Sequence, residues 1–236
     1  MKKVSIIIAA ILAVATIAVA FWFWQKNGTN DVKIPSPQES PLSQNLENIP
    51  EEAPPVQPKN IIFPISDFDN RITLNPFGSY FTGDKKQDID QKVCNNATTY
   101  AGYHTASDLE ATAEEASIDV PVLAVANGKI VKVGNATGYG GILVLAVNID
   151  GGDYTAIYGH IDLKSTNLEV GDEVKVGHKL ANLAPACSDG NGHTRKHLHF
   201  GLHKGSAIDV KGYVASQSEL NSWVDPKVLL DNLVAK

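Results

Sequence analysis

The chain has 236 residues, 43% of them hydrophobic, enough for one good-sized folded domain plus further segments. Its formal charge is −6. That argues against a nucleic-acid-binding surface, which would need a basic patch.

Residues 1–24 decide the compartment. Lys2 and Lys3 precede an uncharged run over residues 4–24, long enough to cross a hydrocarbon core as a helix of about 20 residues. Phe21, Trp22, Phe23 and Trp24 close it in the manner of an interfacial aromatic belt. The paired lysines place the N-terminus on the cytoplasmic side and the bulk of the chain outside. Ala18-Val19-Ala20 also resembles a small-x-small cleavage site, which makes a cleaved signal peptide the rival reading. The run exceeds a usual signal-peptide core and bulky aromatics follow the would-be cut, so a retained transmembrane anchor is expected. Residues 25–60 hold seven of the twelve prolines, mixed with Ser, Gln, Glu and Asn. Such a segment cannot bury enough apolar surface to offset its ordering entropy, and it reads as a semi-extended linker that holds the domain off the membrane.

Residues 61–236 read as the folded domain. Ile61-Ile62-Phe63-Pro64 is a first apolar run, and Arg71 to Gly78 is a short strand entering a turn at Asn75-Pro76-Phe77-Gly78. Residues 82–97 are polar and read as a surface loop carrying Cys94. His104 and Asp108 stand four apart, on one side of either an extended or a helical backbone. Residues 121–126 and 129–133 read as strands joined by Asn127-Gly128, a strong hairpin signal because a type I′ turn needs positive φ at both central positions. Residues 142–149 and 154–160 predict a second hairpin across Asp150-Gly151-Gly152-Asp153. The glycine-rich stretch from Gly134 to Gly141 between them lacks the strand-then-helix setting of a phosphate cradle. Short strands follow at residues 168–177 and 180–184, then a polar loop over residues 185–195 with Cys187. Asp225-Pro226 opens one short C-terminal helix with an N-cap and a proline at its first position. The fold class is mostly β and antiparallel. In an exported chain Cys94 and Cys187 read as a disulfide, each ten residues ahead of a site histidine, with free thiols or metal ligands as the alternatives.

Lys196-His197-Leu198-His199-Phe200-Gly201-Leu202-His203 alternates strictly. Leu198, Phe200 and Leu202 point to a core; His197, His199 and His203 point the other way. Zinc hydrolases commonly use three protein ligands and leave a position for water, with neighbouring imidazoles handling the proton. His104, Asp108, His160, His197 and His199 supply all those roles.

The ordered set His104-x-x-x-Asp108, Tyr158-Gly159-His160 and His197-Leu198-His199 resembles the lysostaphin-like zinc endopeptidases that cleave peptidoglycan cross-links. The segments from Pro121 to Val131 and Val170 to Gly177, and the Asn75-Pro76-Phe77-Gly78 turn, extend the likeness over about residues 71–226. The resemblance implies that His104, Asp108 and His199 bind zinc and that His160 and His197 are the unligated catalytic histidines. It implies an antiparallel β domain of the lysostaphin-like type over residues 61–236 and a peptidoglycan peptide as substrate. The alternative is a non-catalytic relative acting as activator or adaptor of another wall hydrolase; such relatives typically lack several of these residues. A binding module with a structural zinc is a third reading, but such sites are usually closed by four ligands. Two departures stand out: Ala106 where the family usually has glycine, and Arg195-Lys196 where it often has Gly-Pro. Lys196 falls on the core side by alternation and must snorkel or mark an edge. His178 and His193 read as surface, His203 as structural or surface, and Tyr103 as a packing residue beside the site.

Overall fold

The computed structural model describes residues 60–84, 89–95 and 99–234. Its strands are β1 (Tyr80–Thr82), β2 (Ala101–His104), β3 (Ala106–Glu110), β4 (Pro121–Leu123), β5 (Gly128–Ala136), β6 (Gly140–Ile149) and β7 (Gly152–Gly159). They continue with β8 (Ile161–Asp162), β9 (Glu173–Val174), β10 (Lys179–Leu183), β11 (His197–Lys204), β12 (Tyr213–Val214) and β13 (Trp223–Val224). Every strand pairing among the described residues is antiparallel. The main sheet runs β13-β11-β7-β6-β5-β9, with β3 also on β11. Two smaller sheets are ordered β1-β2-β12 and β4-β10-β8.

Strand β6 shows why this sheet reads as continuously apolar. Leu143, Leu145 and Val147 enter one core cluster, while Ile142 and Val144 enter a second with Tyr139, Ile157 and Trp223. Both faces are buried, so alternation gives way to an unbroken run. On β11 the predicted alternation holds: Leu198, Phe200 and Leu202 are fully buried in the larger cluster. Lys196 stays at the margin, donating to the Glu115 and Ile118 carbonyls at 2.8 and 2.6 Å.

The second predicted hairpin forms. β6 and β7 pair through Ile149 and Gly152 around Asp150 and Gly151, whose φ values are 51° and 81°. That is the positive-φ pair a type I′ turn requires. The first does not form. Residues 121–123 pair with β10, residues 128–136 pair with β6 and β9, and neither Asn127 nor Gly128 has positive φ. Tertiary bonds outweigh the local signal: Ala124 donates to His178 and accepts from Gly177, and the Asn127 side chain accepts from the Val176 amide. Residues 82–97 are also not all loop. They include a helix, Ile89–Cys94, and with Gln217–Leu220 and Pro226–Val234 there are three α-helices among the described residues rather than one. The last starts as expected, Asp225 accepting from the Lys227 and Val228 amides.

Cys94 and Cys187 are bonded, with Cα atoms 5.1 Å apart. The cross-link closes 93 residues, so its removal enlarges the unfolded ensemble. Replacing both cysteines by serine should cost about 2–4 kcal/mol of stability, measured by denaturant unfolding against the oxidised chain. Among the described residues no helix is long and apolar enough to cross a membrane. The predicted anchor over residues 1–24 and almost all of the 25–60 linker lie outside the described residues.

Candidate metal centre

An extended chain carries residues four apart about 13 Å along the strand. His104 and Asp108 nevertheless meet, because the strand breaks between them. β2 ends at His104 in one sheet and β3 begins at Ala106 in another. Thr105 holds the bend, its amide donating to the Gly212 carbonyl at 3.0 Å and its hydroxyl to the Lys211 carbonyl at 2.6 Å. Register does the rest. In the β3–β11 ladder Asp108 stands opposite His199, and on the far side His199 stands opposite Gly159, one residue before His160. Ala106 is accommodated opposite Gly201, where the absence of a side chain leaves room for its methyl group.

The three donor atoms form a near-equilateral triangle. His104 Nε2 lies 3.2 Å from His199 Nδ1 and 3.3 Å from Asp108 Oδ1, and His199 Nδ1 lies 3.1 Å from Asp108 Oδ1. A tetrahedral ion with bonds near 2.0–2.1 Å has ligand–ligand edges of about 3.3 Å. The donor set and the spacing therefore fit zinc. His104, Asp108 and His199 are all buried.

Outer contacts fix how each donor is presented. The Nε2 of His199 is 3.0 Å from the Tyr139 hydroxyl. With Nδ1 turned to the triangle, Nε2 carries the proton and donates to that hydroxyl, which sets the tautomer. Tyr139 can lie there because Gly159 is bare: a Cβ on Gly159 would come within 2.4 Å of its ring. Asp108 Oδ2 accepts from Arg195 at 2.9 Å and from Asn75 at 3.0 Å. His104 Nδ1 has no hydrogen-bond partner and its ring packs against Phe81 and Tyr213.

His160 and His197 stand beside the triangle with ring centroids 4.3 Å apart. His160, at φ 61°, turns the chain off β7 in a left-handed conformation uncommon for a residue with a side chain. Its Nδ1 donates to the Asn191 carbonyl at 2.9 Å, and His197 Nδ1 donates to the Arg195 carbonyl at 2.9 Å. In the neutral rings both Nε2 atoms then carry the free lone pair. Burial lowers the His160 pKa to about 4 and holds His197 well below the usual imidazole range, with Arg195 lowering both further and Asp108 opposing the shift in both. Burial alone would raise the Asp108 carboxyl, but His104 and His197, with hydrogen bonds from His104 and His199, keep it well below the ordinary carboxylate range. A cleft of about 130 Å³ opens on Asp108, His160, His197 and His199, flanked by Tyr139, Arg195 and Tyr213.

All five sequence-predicted residues thus converge. His203 instead packs against Trp223, His193 is exposed and pairs with Asp189, and Tyr103 packs on Tyr80. Sequence reading missed Tyr139, Asn191 and the role of Arg195. One signal was present in the glycine-rich stretch: a Cβ on Gly140 would come within 2.3 Å of the Gly190 carbonyl oxygen. Those glycines let the β5–β6 connection lie against the turn that carries Asn191.

A buried two-histidine, one-carboxylate triangle beside two further histidines, in an antiparallel β domain, is compatible with a zinc metallopeptidase site. The family model that matches, over residues 102–210, is Peptidase family M23, and the chain belongs to that family. Over 96 residues it is 34% identical to "Lipoprotein NlpD" of Yersinia enterocolitica, spanning 40% of this chain and 89% of that protein. Among solved structures it is similar to LytU, at 22% identity, covering 78% of this chain and 92% of that one with a TM-score of 0.43. It is also similar to lysostaphin, at 25% identity, covering 66% and 52% with a TM-score of 0.41.

Proposed function

We propose that this chain is a zinc-dependent endopeptidase that hydrolyses amide bonds in peptidoglycan cross-links or stem peptides. His104, Asp108 and His199 would hold the ion, and His160 and His197 would carry the proton chemistry. The observation that carries the reading is the coexistence of a donor triangle with 3.1–3.3 Å edges and two further buried histidines lining the same cleft. A structural zinc site has no use for the second pair.

Zinc held there supplies Lewis acidity, polarising an amide carbonyl and making water nucleophilic near neutral pH. The chain's own groups do the rest. His197, neutral and with Nε2 free, is the base that takes the proton. Its Nε2 lies 3.5 Å from Asp108 Oδ2, close enough for that carboxylate to favour the imidazolium. His197, once protonated, gives that same proton to the leaving amine, and His160, on the neighbouring strand end, lines the same cleft beside it. The Asn191 and Arg195 carbonyls keep the two rings oriented. At about 130 Å³ the cleft is smaller than the about 300–1,000 Å³ of sites that enclose a small molecule. It suits one amide group of an extended peptide lying across its mouth.

An N-terminal anchor over residues 1–24, as the sequence suggests, would hold this activity on the outer face of the cell membrane, where the wall peptide lies. Purified chain should contain about one zinc per molecule and reduce the turbidity of isolated wall sacks. Bound zinc with no loss of turbidity would favour the non-catalytic adaptor. Tyr139→Phe removes the acceptor for His199 Nε2 and should weaken zinc binding about 10–100-fold by chelator competition, with the fold retained.

A further inference from the structure

Arg195 is 5% exposed and fully engaged. Its Nη2 donates to Asp108 Oδ2 at 2.9 Å and its Nη1 to Asp90 Oδ2 at 3.0 Å. Its Nε reaches both Glu110 oxygens at 3.0 and 2.9 Å, and its backbone amide donates to Asp90 Oδ1 at 2.7 Å. One planar guanidinium thus reads three carboxylates in fixed directions, which a lysine ammonium cannot do.

We propose that Arg195 is the positioning residue of the metal centre, fixing which oxygen of Asp108 is available to the ion. Arg195 and Asn75 together occupy Oδ2 at 2.9 and 3.0 Å, leaving Oδ1 alone facing His104 Nε2 and His199 Nδ1. A carboxylate free to turn could offer both oxygens and fill a coordination position that the reaction needs open. The hold is itself supported from outside the site. Asp90 lies on the helix Ile89–Cys94, and the Cys94–Cys187 bond ties that helix to the loop leading to Arg195. The same two segments are therefore joined twice, once by the disulfide and once by the Asp90–Arg195 pair. Charge points the same way. Three carboxyl groups surround one guanidinium, so the cluster leans negative, the sign that a divalent cation in the triangle would offset.

This inference rests on the ligand assignment proposed above, and its test separates the two. Arg195→Lys keeps the charge and loses the fork; Asn75→Ala leaves the charge unchanged and removes the second donor to Oδ2. Both are made in the full-length chain, with zinc affinity measured by chelator competition, the visible spectrum recorded with cobalt(II) in place of zinc, and thermal unfolding followed without metal. Arg195→Lys should raise the zinc dissociation constant about 10–100-fold, and Asn75→Ala should raise it less. The cobalt absorption of both should weaken, as expected when a second carboxylate oxygen joins the ion. Unchanged affinity and an unchanged cobalt spectrum in both variants would overturn the proposal. So would a loss of thermal stability alone, which would make Arg195 a structural residue only. Should Arg195→Lys fail to fold, Asn75→Ala decides by the same two readouts. If the unmodified chain takes up neither zinc nor cobalt, the ligand assignment itself is wrong, and this inference falls with it.

Discussion

His197→Ala should leave zinc bound at about one per chain while wall-peptide hydrolysis falls about 10²–10⁴-fold, the usual contribution of a positioned acid–base group. His199→Ala, two residues away, should lose zinc as well as activity, since it removes one of three donors. The strand should survive both changes. Its apolar face is carried by Leu198, Phe200 and Leu202, and His197 and His199 project from the other. The two variants therefore agree in activity and differ in metal content. Metal analysis beside a turnover assay reads the difference. Equal loss of zinc in both would show that the roles on this strand are wrongly divided. Full activity in His197→Ala would move the base to His160, whose pKa of about 4 also leaves it neutral at pH 7.

Phe200→Ala should cost about 3–5 kcal/mol, enough to deplete the folded domain. Phe200 is fully buried at the centre of β11, opposite Tyr158 on one side and Ser107 on the other, with its ring 5.2 Å from that of Tyr158. The cavity left by an aromatic side chain has rigid strands around it and little means of collapse. Denaturant unfolding checks this, and a cost under about 1 kcal/mol would mean that the two cross-strand ladders, rather than the core, hold β11. Because β11 carries both His197 and His199, a stability loss here should weaken zinc binding without any change to a donor atom.

Several features were legible because they are local. Period-two alternation marked β11 and its buried face. Asp150-Gly151 has the residues a type I′ turn needs, and Asp225-Pro226 the residues of a helix start. Asn127-Gly128 shows where local chemistry fails: the same kind of signal is overridden once Ala124 and Asn127 bond to residues 176–178. The convergence of the five site residues was legible only through the ordered motif set. Alternation alone says nothing of Asp108 standing opposite His199, or of a strand that changes sheets at Thr105. Tyr139, Asn191 and Arg195 stayed hidden for the same reason. Each acts through a contact between segments far apart in sequence, and Arg195 was visible only as a departure from a familiar pattern. The disulfide was readable because both cysteines lie ten residues ahead of site histidines that must themselves come together.

The most direct test of the account is mass spectrometry of purified wall peptide digested by this chain in water enriched in oxygen-18. Hydrolysis of an amide should give a new amino terminus and a new carboxylate that carries one heavy oxygen. Both products should disappear when zinc is removed by a chelator and return when zinc is restored. Intact peptide from a chain that holds one zinc and keeps its fold would contradict the assignment as an endopeptidase.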